Sequence, residues 1–165
     1  MKVVTWLGST AVIIPVLVLV AVALIVRRRD WRSVALLATA VSGAVALCDI
    51  VKPLVRRARP PAAQWIGHYG GAAFPSGRAT QSIAFYGILA VVLSVGRPLR
   101  ARTLLWIGAA IATLAVGLSG IYLGAHWLTD VLGGFALGAT WLASLVAMSM
   151  LLRKRERHAG RFGLS

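Results

Sequence analysis

The chain has 165 residues, of which 59% are hydrophobic and only four are acidic, and its formal net charge is +14. This apolar content excludes an ordinary soluble domain and indicates a single membrane domain over residues 1–165. The charge raises nucleic-acid binding as an alternative, but the basic residues lie between apolar runs rather than along one face, so no nucleic-acid partner is expected. Cys48 is the only cysteine, so no disulfide forms within the chain.

Charged residues divide the sequence into five apolar stretches, at 3–26, 33–48, 79–96, 103–125 and 131–152. A helix rises about 1.5 Å per residue, so about 20 residues cross the hydrocarbon core. Four stretches meet or approach that length, and the second must continue past Asp49 toward Lys52 to span. We predict an all-α, polytopic membrane helix bundle with about five transmembrane helices. A secretory signal is the alternative for the first stretch, but its apolar run is too long and arginines at 27–29 stop it.

The basic residues are distributed unevenly between the two ends of these stretches. Twelve of the eighteen lie after the first, third and fifth stretches, the last group in a basic tail at 153–165. The other six are Lys2, Lys52, Arg56, Arg57, Arg59 and Arg78. Because loops rich in lysine and arginine stay in the cytoplasm, we expect the N-terminus outside and the C-terminus inside.

Three short segments fall on the predicted outer face. They are "KPLVRRARP" at 52–60, "PSGR" at 75–78 and "SGIYLGAHWLTD" at 119–130. The first and second bound the longest non-apolar connection, 52–78, in which several prolines break helix. Long ordered loops tend to carry function, so we expect these segments to meet at a site.

The first two segments have the chemistry of an anion site. Lys52 and Arg59 offer a point charge and a planar fork, two common ways to hold phosphate oxygens. Ser76 and the backbone N–H groups of Gly77 and Arg78 would open a helix, whose positive dipole end suits an anion. Arginines at 56 and 57 are interpreted as lipid-headgroup contacts, and Pro-Ser-Gly alone is a common helix start.

The third segment supplies a candidate nucleophile. His126 and Asp130 are four residues apart and share one face of a helix. A carboxylate on one ring nitrogen fixes the tautomer and leaves the other nitrogen as nucleophile or base. A polar helix cap is the alternative for His126, but the joint placement of three such segments favours a phosphate site.

Together the segments resemble the motifs of the type 2 phosphatidic acid phosphatase (PAP2) superfamily over about 49–138. The family patterns are Lys-x6-Arg-Pro, Pro-Ser-Gly-His and Ser-Arg-x5-His-x3-Asp. The matching residues are Lys52, Arg59, Pro60, Pro75, Ser76, Gly77, Ser119, His126 and Asp130. The resemblance implies a helical membrane enzyme that hydrolyses lipid phosphates through a phosphohistidine, with no metal and no cofactor. Six membrane helices are usual in that family, so five suggest a short member.

The resemblance also implies roles for individual residues. His126 would attack phosphorus, and Asp130 would orient it. The expected phosphate-binding residues are Lys52, Arg59, Ser76, Gly77, Arg78 and Ser119.

Two positions depart from the family pattern. Arg78 stands where the family has a histidine that would be the proton donor, and Gly120 stands where it has a phosphate-binding arginine. A guanidinium cannot donate a proton near neutral pH but can hold phosphate oxygens. We hypothesise that Arg78 supplies the charge that Gly120 cannot. His68, the other outer histidine, is a possible acid, with a plain loop residue as the alternative.

The small size, the arginine-rich composition and the short N-terminal part resemble bacterial family members that dephosphorylate polyprenyl-linked intermediates of cell-wall synthesis. One such intermediate is polyprenylphosphoryl 5-phosphoribose. We therefore expect a lipid-phosphate phosphatase of the bacterial plasma membrane with an extracytoplasmic active site. A polyprenyl diphosphate phosphatase is one alternative, and a non-catalytic lipid-phosphate-binding protein is another, because two motif residues are replaced. A transporter is disfavoured, since the helix interiors offer Asp49 but no run of ionisable groups.

The fifth stretch contains a possible helix-packing face. Gly134 and Gly138 are four residues apart and would let another helix approach closely. That helix belongs either to the same chain or to a second copy in a homo-oligomer.

Overall fold

The computed structural model describes residues 7–28 and 30–161, and within them the chain folds into five α-helices. They are α1 (Thr10–Arg28), α2 (Trp31–Val55), α3 (Gly77–Ser94), α4 (Leu99–Tyr122) and α5 (Leu128–Arg161). A short 3-10 turn, Ala62–Gln64, lies in the connection between α2 and α3. The prediction of an all-α helix bundle is confirmed.

Three of these helices are long and apolar enough to cross a membrane: α2, α4 and the Leu128–Glu156 part of α5. α1 contributes a shorter apolar helix over Thr10–Val26. α3 has 18 residues, so it extends about 27 Å, close to the thickness of the hydrocarbon core. Large apolar side chains such as Leu19, Leu54 and Leu104 point out of the bundle, as a lipid-facing surface requires.

α2 continues past Asp49, as a spanning helix requires. It includes Pro53 and ends at Val55, and it is capped by Arg56, whose φ of 49° is left-handed. The backbone N–H of Arg56 donates to the carbonyl of Lys52, which closes the last turn. This end places Lys52 on the final turn of the helix, at the level of the loop that follows.

α5 is longer than the apolar stretch that predicts it. It runs on to Arg161, so the first part of the basic tail is helical rather than irregular. Glu156 in this extension pairs with Arg32 at the start of α2, with 2.7 Å between the charged groups. Residues 1–6, 29 and 162–165, which include Lys2 and the end of the tail, lie outside the described residues.

The glycine face of α5 packs against α3 of the same chain. A Cβ built on Gly134 would lie 2.7 Å from the carbonyl oxygen of Ser76, and one on Gly138 would lie 2.7 Å from that of Thr80. Any larger side chain would therefore force the two helices apart. The sequence allows two partners for the Gly134/Gly138 face, a helix of the same chain or a second copy. In the structure α3 of the same chain covers this face, so no surface is left there for a homo-oligomer.

The close approach of α3 and α5 also aligns their N-terminal ends. The backbone N–H of Ser76, just before α3, donates to the carbonyl of Asp130 in the first turn of α5, at 3.0 Å. The second and third motif segments are thus held side by side at one end of the bundle.

Cysteine labelling tests the predicted orientation. In a Cys48→Ala background, Ala63→Cys in the α2–α3 connection and Pro98→Cys in the α3–α4 connection both place a thiol in an exposed position. A membrane-impermeant maleimide should label position 63 but not position 98 in intact cells, because the arginine-rich α3–α4 connection is expected inside. Labelling of 98 without 63 would reverse the orientation, and labelling of both after lysis is the control.

Candidate active site

The three outer segments meet around one cavity of about 300 Å³. Its wall includes Lys52, Arg59, Gly77, Arg78 and His126, the residues that the sequence places at a phosphate site. The rest of the wall comes from Gly8–Thr10 before and at the start of α1, Tyr69, Gln81 and Ala125. Cationic groups from distant parts of the sequence therefore surround a single histidine.

Besides Asp130, three candidate residues lie outside this wall. Ser119 is buried within α4, and its hydroxyl donates to the carbonyl of Val116 at 2.7 Å. Ser76 is also buried, at the N-cap of α3. His68 is exposed, and His126 is the only histidine among the described residues that line the cavity. Ser76, Ser119 and the possible acid His68 are therefore not part of the cavity wall.

The orientation of His126 is set by a backbone carbonyl. Its Nδ1 lies 2.9 Å from the carbonyl oxygen of Ala73. A carbonyl only accepts hydrogen bonds, so Nδ1 carries the hydrogen and Nε2 keeps its lone pair. The nearest oxygen of Asp130 is 3.8 Å from the same nitrogen, beyond hydrogen-bond distance. The hydrogen-bond partner of Nδ1 is therefore the carbonyl of Ala73, and not Asp130 as the spacing of the third motif predicts.

Asp130 is engaged at the start of α5 instead. Its side chain is fully buried, and Oδ2 accepts a hydrogen bond of 2.8 Å from the backbone N–H of Trp127. An acid in the first turn that binds the N-cap amide is half of a capping box, and it also lies favourably in the helix dipole. This local bond holds the carboxylate away from Nδ1 but within electrostatic range of the imidazole.

Arg57 is the partner of Asp130 that the sequence does not reveal. Its Nη1 lies 3.1 Å from Oδ1 of Asp130 and also donates to the hydroxyl of Thr129. Oδ1 has no hydrogen bond of good geometry among the described residues, so the Arg57 contact is an ion pair. The Arg57 carbonyl accepts from the N–H of Ala73 at 2.8 Å. Arg57 thus supports both groups that face Nδ1 of His126, rather than only a lipid headgroup.

Arg59 organises the loop above the cavity. Its guanidinium donates to the carbonyl of Ala125 at 2.7 Å and to that of Gly70 at 2.9 Å. The ammonium of Lys52 lies against the start of α3, since a Cβ on Gly77 would be 3.7 Å from Nζ. Arg59 thus ties the α2–α3 connection to the residue before His126, while Lys52 adds its charge to the positive end of α3.

Comparison with known proteins agrees with this geometry. The sequence pattern that defines the PAP2 superfamily matches residues 32–154, which contain all three outer segments. The chain belongs to the PAP2 superfamily.

The chain is similar to phosphatases from Bacillus subtilis. Phosphatidylglycerophosphatase B of Bacillus subtilis is 31% identical over 136 residues, which are 81% of this chain and 66% of that protein. The chain thus spans slightly less than two thirds of the length of this relative. The crystal structure of a transmembrane PAP2-type phosphatidylglycerolphosphate phosphatase from Bacillus subtilis has a TM-score of 0.84 and 27% identity, over 90% of this chain and 74% of that one.

A second solved structure shares the fold. Aquifex aeolicus LpxE aligns with a TM-score of 0.68 and 23% identity, over 88% of this chain and 82% of that one. With three apolar helices of membrane-spanning length and a transmembrane relative, this PAP2 chain is a membrane protein. Its phosphatase relatives support the expectation of a phosphoric monoester hydrolase.

The two departures from the PAP2 pattern can now be located. Arg78 lines the cavity, as the hypothesis of a relocated charge requires. A Cβ built on Gly120 would lie 3.6 Å from Cδ2 of His126, an ordinary van der Waals distance. A side chain at position 120 would therefore extend beside the imidazole, so glycine leaves space where the family has an arginine.

The environment of His126 favours its neutral form. Burial lowers its pKa to about 4, and the positive charges of Arg59, Arg78 and Lys52 act in the same direction. The hydrogen bond to Ala73 opposes these effects only in part. At neutral pH the ring is therefore uncharged, and Nε2 is available as a nucleophile.

NMR titration of ¹⁵N-histidine-labelled protein tests this environment, with His126 assigned through His126→Gln. We expect a midpoint near pH 4, well below the ~6.5 of an ordinary histidine. Arg78→Gln should raise the midpoint, since a nearby cation disfavours the imidazolium. Arg56→Gln, which removes an exposed cation outside the cavity wall, is the matched control. A parent midpoint near 6.5 would contradict the electrostatic picture.

Proposed function

We propose that this PAP2 chain is a lipid-phosphate phosphatase in which Nε2 of His126 attacks phosphorus. The observation that carries the proposal is a neutral, oriented imidazole in one cavity with three cationic side chains. That combination fits a phosphoryl group, whose anionic oxygens need positive charge while its phosphorus meets a lone pair.

In the first step, the Nε2–P bond forms as the bond between phosphorus and the leaving oxygen breaks. Lys52, Arg78 and the N–H groups at the start of α3 hold the phosphoryl oxygens as charge builds on them. Nδ1–H stays bonded to Ala73, so the ring becomes positively charged when phosphorus binds Nε2. Asp130, at 3.8 Å, stabilises that charge without taking the proton.

In the second step, water attacks the phosphohistidine. The new O–P bond replaces the N–P bond, and His126 returns to its neutral form. Of the two protons of the water, one stays on the inorganic phosphate and the other goes to the alkoxide released in the first step. Neither step requires a metal or cofactor. We place the reaction at the extracytoplasmic face of the bacterial plasma membrane, where the arginine distribution puts this end of the bundle.

The proposed substrate is a polyprenyl-linked phosphate of cell-wall synthesis, such as polyprenylphosphoryl 5-phosphoribose. The support is the resemblance of this arginine-rich chain to such family members. A polyprenyl diphosphate is the second candidate, and one observation favours it. Arg78 stands in place of the family acid and His68 lies outside the cavity wall, so neither position offers a proton donor to the leaving group. A phosphate leaving group departs without a proton, whereas an alkoxide leaving group needs one. A non-catalytic lipid-phosphate binder is less consistent with the oriented, neutral state of His126.

Removal of the nucleophile tests the reaction. His126→Ala should reduce phosphate release from lipid phosphates to below about one-thousandth of the parent rate. Asp130→Asn should lose less, because in the reaction itself the carboxylate only stabilises charge on the ring, and the asparagine oxygen can still accept from the Trp127 amide. The purified parent, quenched in alkali after brief exposure to ³²P-labelled substrate, should carry an acid-labile label. Turnover of a few per cent by a folded His126→Ala protein, or activity that depends on added divalent ions, would exclude the phosphohistidine route.

A double-mutant cycle tests the relocated charge. Arg78→His restores a possible acid but removes a permanent charge, so that variant alone should be impaired. The pair Arg78→His and Gly120→Arg should recover activity, because position 120 opens beside His126. The recovery should be larger on monoesters, whose leaving group needs a proton, than on diphosphates. Additive effects of the two changes on both substrate types would show that Arg78 does not replace the missing arginine.

A further inference from the structure

One part of the cavity wall is uncharged and is not explained by phosphate binding. Thr10, at the start of α1, and Gln81, in the second turn of α3, both line the cavity. The hydroxyl of Thr10 donates to the side-chain oxygen of Gln81 at 3.3 Å. This exposed contact joins α1 to α3 across the cavity edge, with the glutamine oxygen turned toward Thr10.

The position of this pair along α3 indicates which part of a substrate it faces. Gln81 follows Gly77 by four residues, so it lies on the same face of α3, about 5–6 Å farther from the helix start. In the proposed reaction the phosphoryl group binds at the start of α3, and α3 runs from there into the bundle. A lipid substrate that enters from the bilayer therefore passes its connecting group, between phosphate and lipid tail, beside Thr10 and Gln81.

The hydrogen-bonding capacity of the pair selects among connecting groups. Once Thr10 donates to Oε1, the pair still offers the amide N–H donors of Gln81 and the lone pairs of the Thr10 hydroxyl. No other partner for these groups occurs among the described residues. A hydroxyl is both donor and acceptor and satisfies such a pair, whereas an ionised second phosphate offers only acceptors.

We propose that Thr10 and Gln81 form a subsite for a hydroxyl-bearing group next to the scissile phosphate, so that the protein prefers monoesters on a polyol or sugar over diphosphates. This inference rests on the proposed phosphatase function. It names the substrate class by the chemistry beside the phosphate and not by the lipid tail.

Two monoesters isolate the effect of the hydroxyl. In phosphatidylglycerophosphate, the glycerol that bears the terminal phosphate has a free hydroxyl, whereas in phosphatidic acid the phosphate sits directly on diacylglycerol. Both leaving groups are alkoxides, so any lack of a proton donor affects them equally. Polyprenyl diphosphate is the third substrate. The quantity to be measured for each substrate is kcat/KM of the purified protein in mixed micelles.

The parent should prefer phosphatidylglycerophosphate over phosphatidic acid and over the diphosphate. Gln81→Met keeps the side-chain shape but removes its hydrogen bonds, and it should reduce the preference over phosphatidic acid about tenfold. Thr10→Val, a second isosteric change, should reduce the preference in the same direction. Gln64→Met makes the same substitution at an exposed glutamine outside the cavity wall and should leave the preference as in the parent.

The outcomes separate the two proposals. Phosphate release with a preference that neither Gln81→Met nor Thr10→Val changes would overturn the subsite while leaving the phosphatase intact. A parent that prefers the diphosphate or phosphatidic acid would also overturn it. Absence of release from all three substrates, with correctly folded protein, would contradict the phosphatase itself and the subsite with it.

Discussion

The buried carboxylate of Asp130 is the contact on which the arrangement of the outer segments depends. Burial of a charged group is costly unless hydrogen bonds and opposite charge compensate for it. Here the carboxylate accepts a hydrogen bond from the Trp127 amide and lies 3.1 Å from Arg57. The backbone carbonyl of Asp130 accepts a hydrogen bond from the N–H of Ser76. One residue therefore joins the ends of α2, α3 and α5, and His126 lies immediately beside this junction.

Packing inside the bundle keeps that junction in register. A bilayer provides little hydrophobic force between helices, so close contact depends on small residues. Gly134 and Gly138 bring α5 to within backbone distance of α3, and the same approach sets the distance between the start of α3 and His126. The site geometry is thus determined partly by glycines about two and three turns inside α5, which have no chemical role themselves.

The sequence predicts the helices and the cationic part of the site because both follow from local patterns. Apolar stretches of membrane length return the chain repeatedly to the same face, so Lys52, Arg78 and His126 meet there. The hydrogen bond from Nδ1 of His126 to the carbonyl of Ala73 could not be predicted, since every residue has a carbonyl and only the tertiary structure decides which one faces an imidazole. The Thr10–Gln81 pair depends in the same way on how α1 packs against α3. The Arg57–Asp130 pair requires a folded loop that no spacing rule specifies.

The replacement of the family histidine by Arg78 has a consequence beyond phosphate binding. A fixed cation at that position lowers the pKa of His126, in addition to burial and the charge of Arg59. The dianion of a phosphate monoester takes up one proton near pH 6, whereas the pKa of His126 is lowered to about 4, so the imidazole is neutral above that pH. Between these values the proposed nucleophile would be unprotonated while a monoester substrate carries a proton that can follow the leaving oxygen. In the proposed reaction, the arginine that stands where the family has an acid would thereby keep His126 reactive under the conditions in which the substrate supplies the proton.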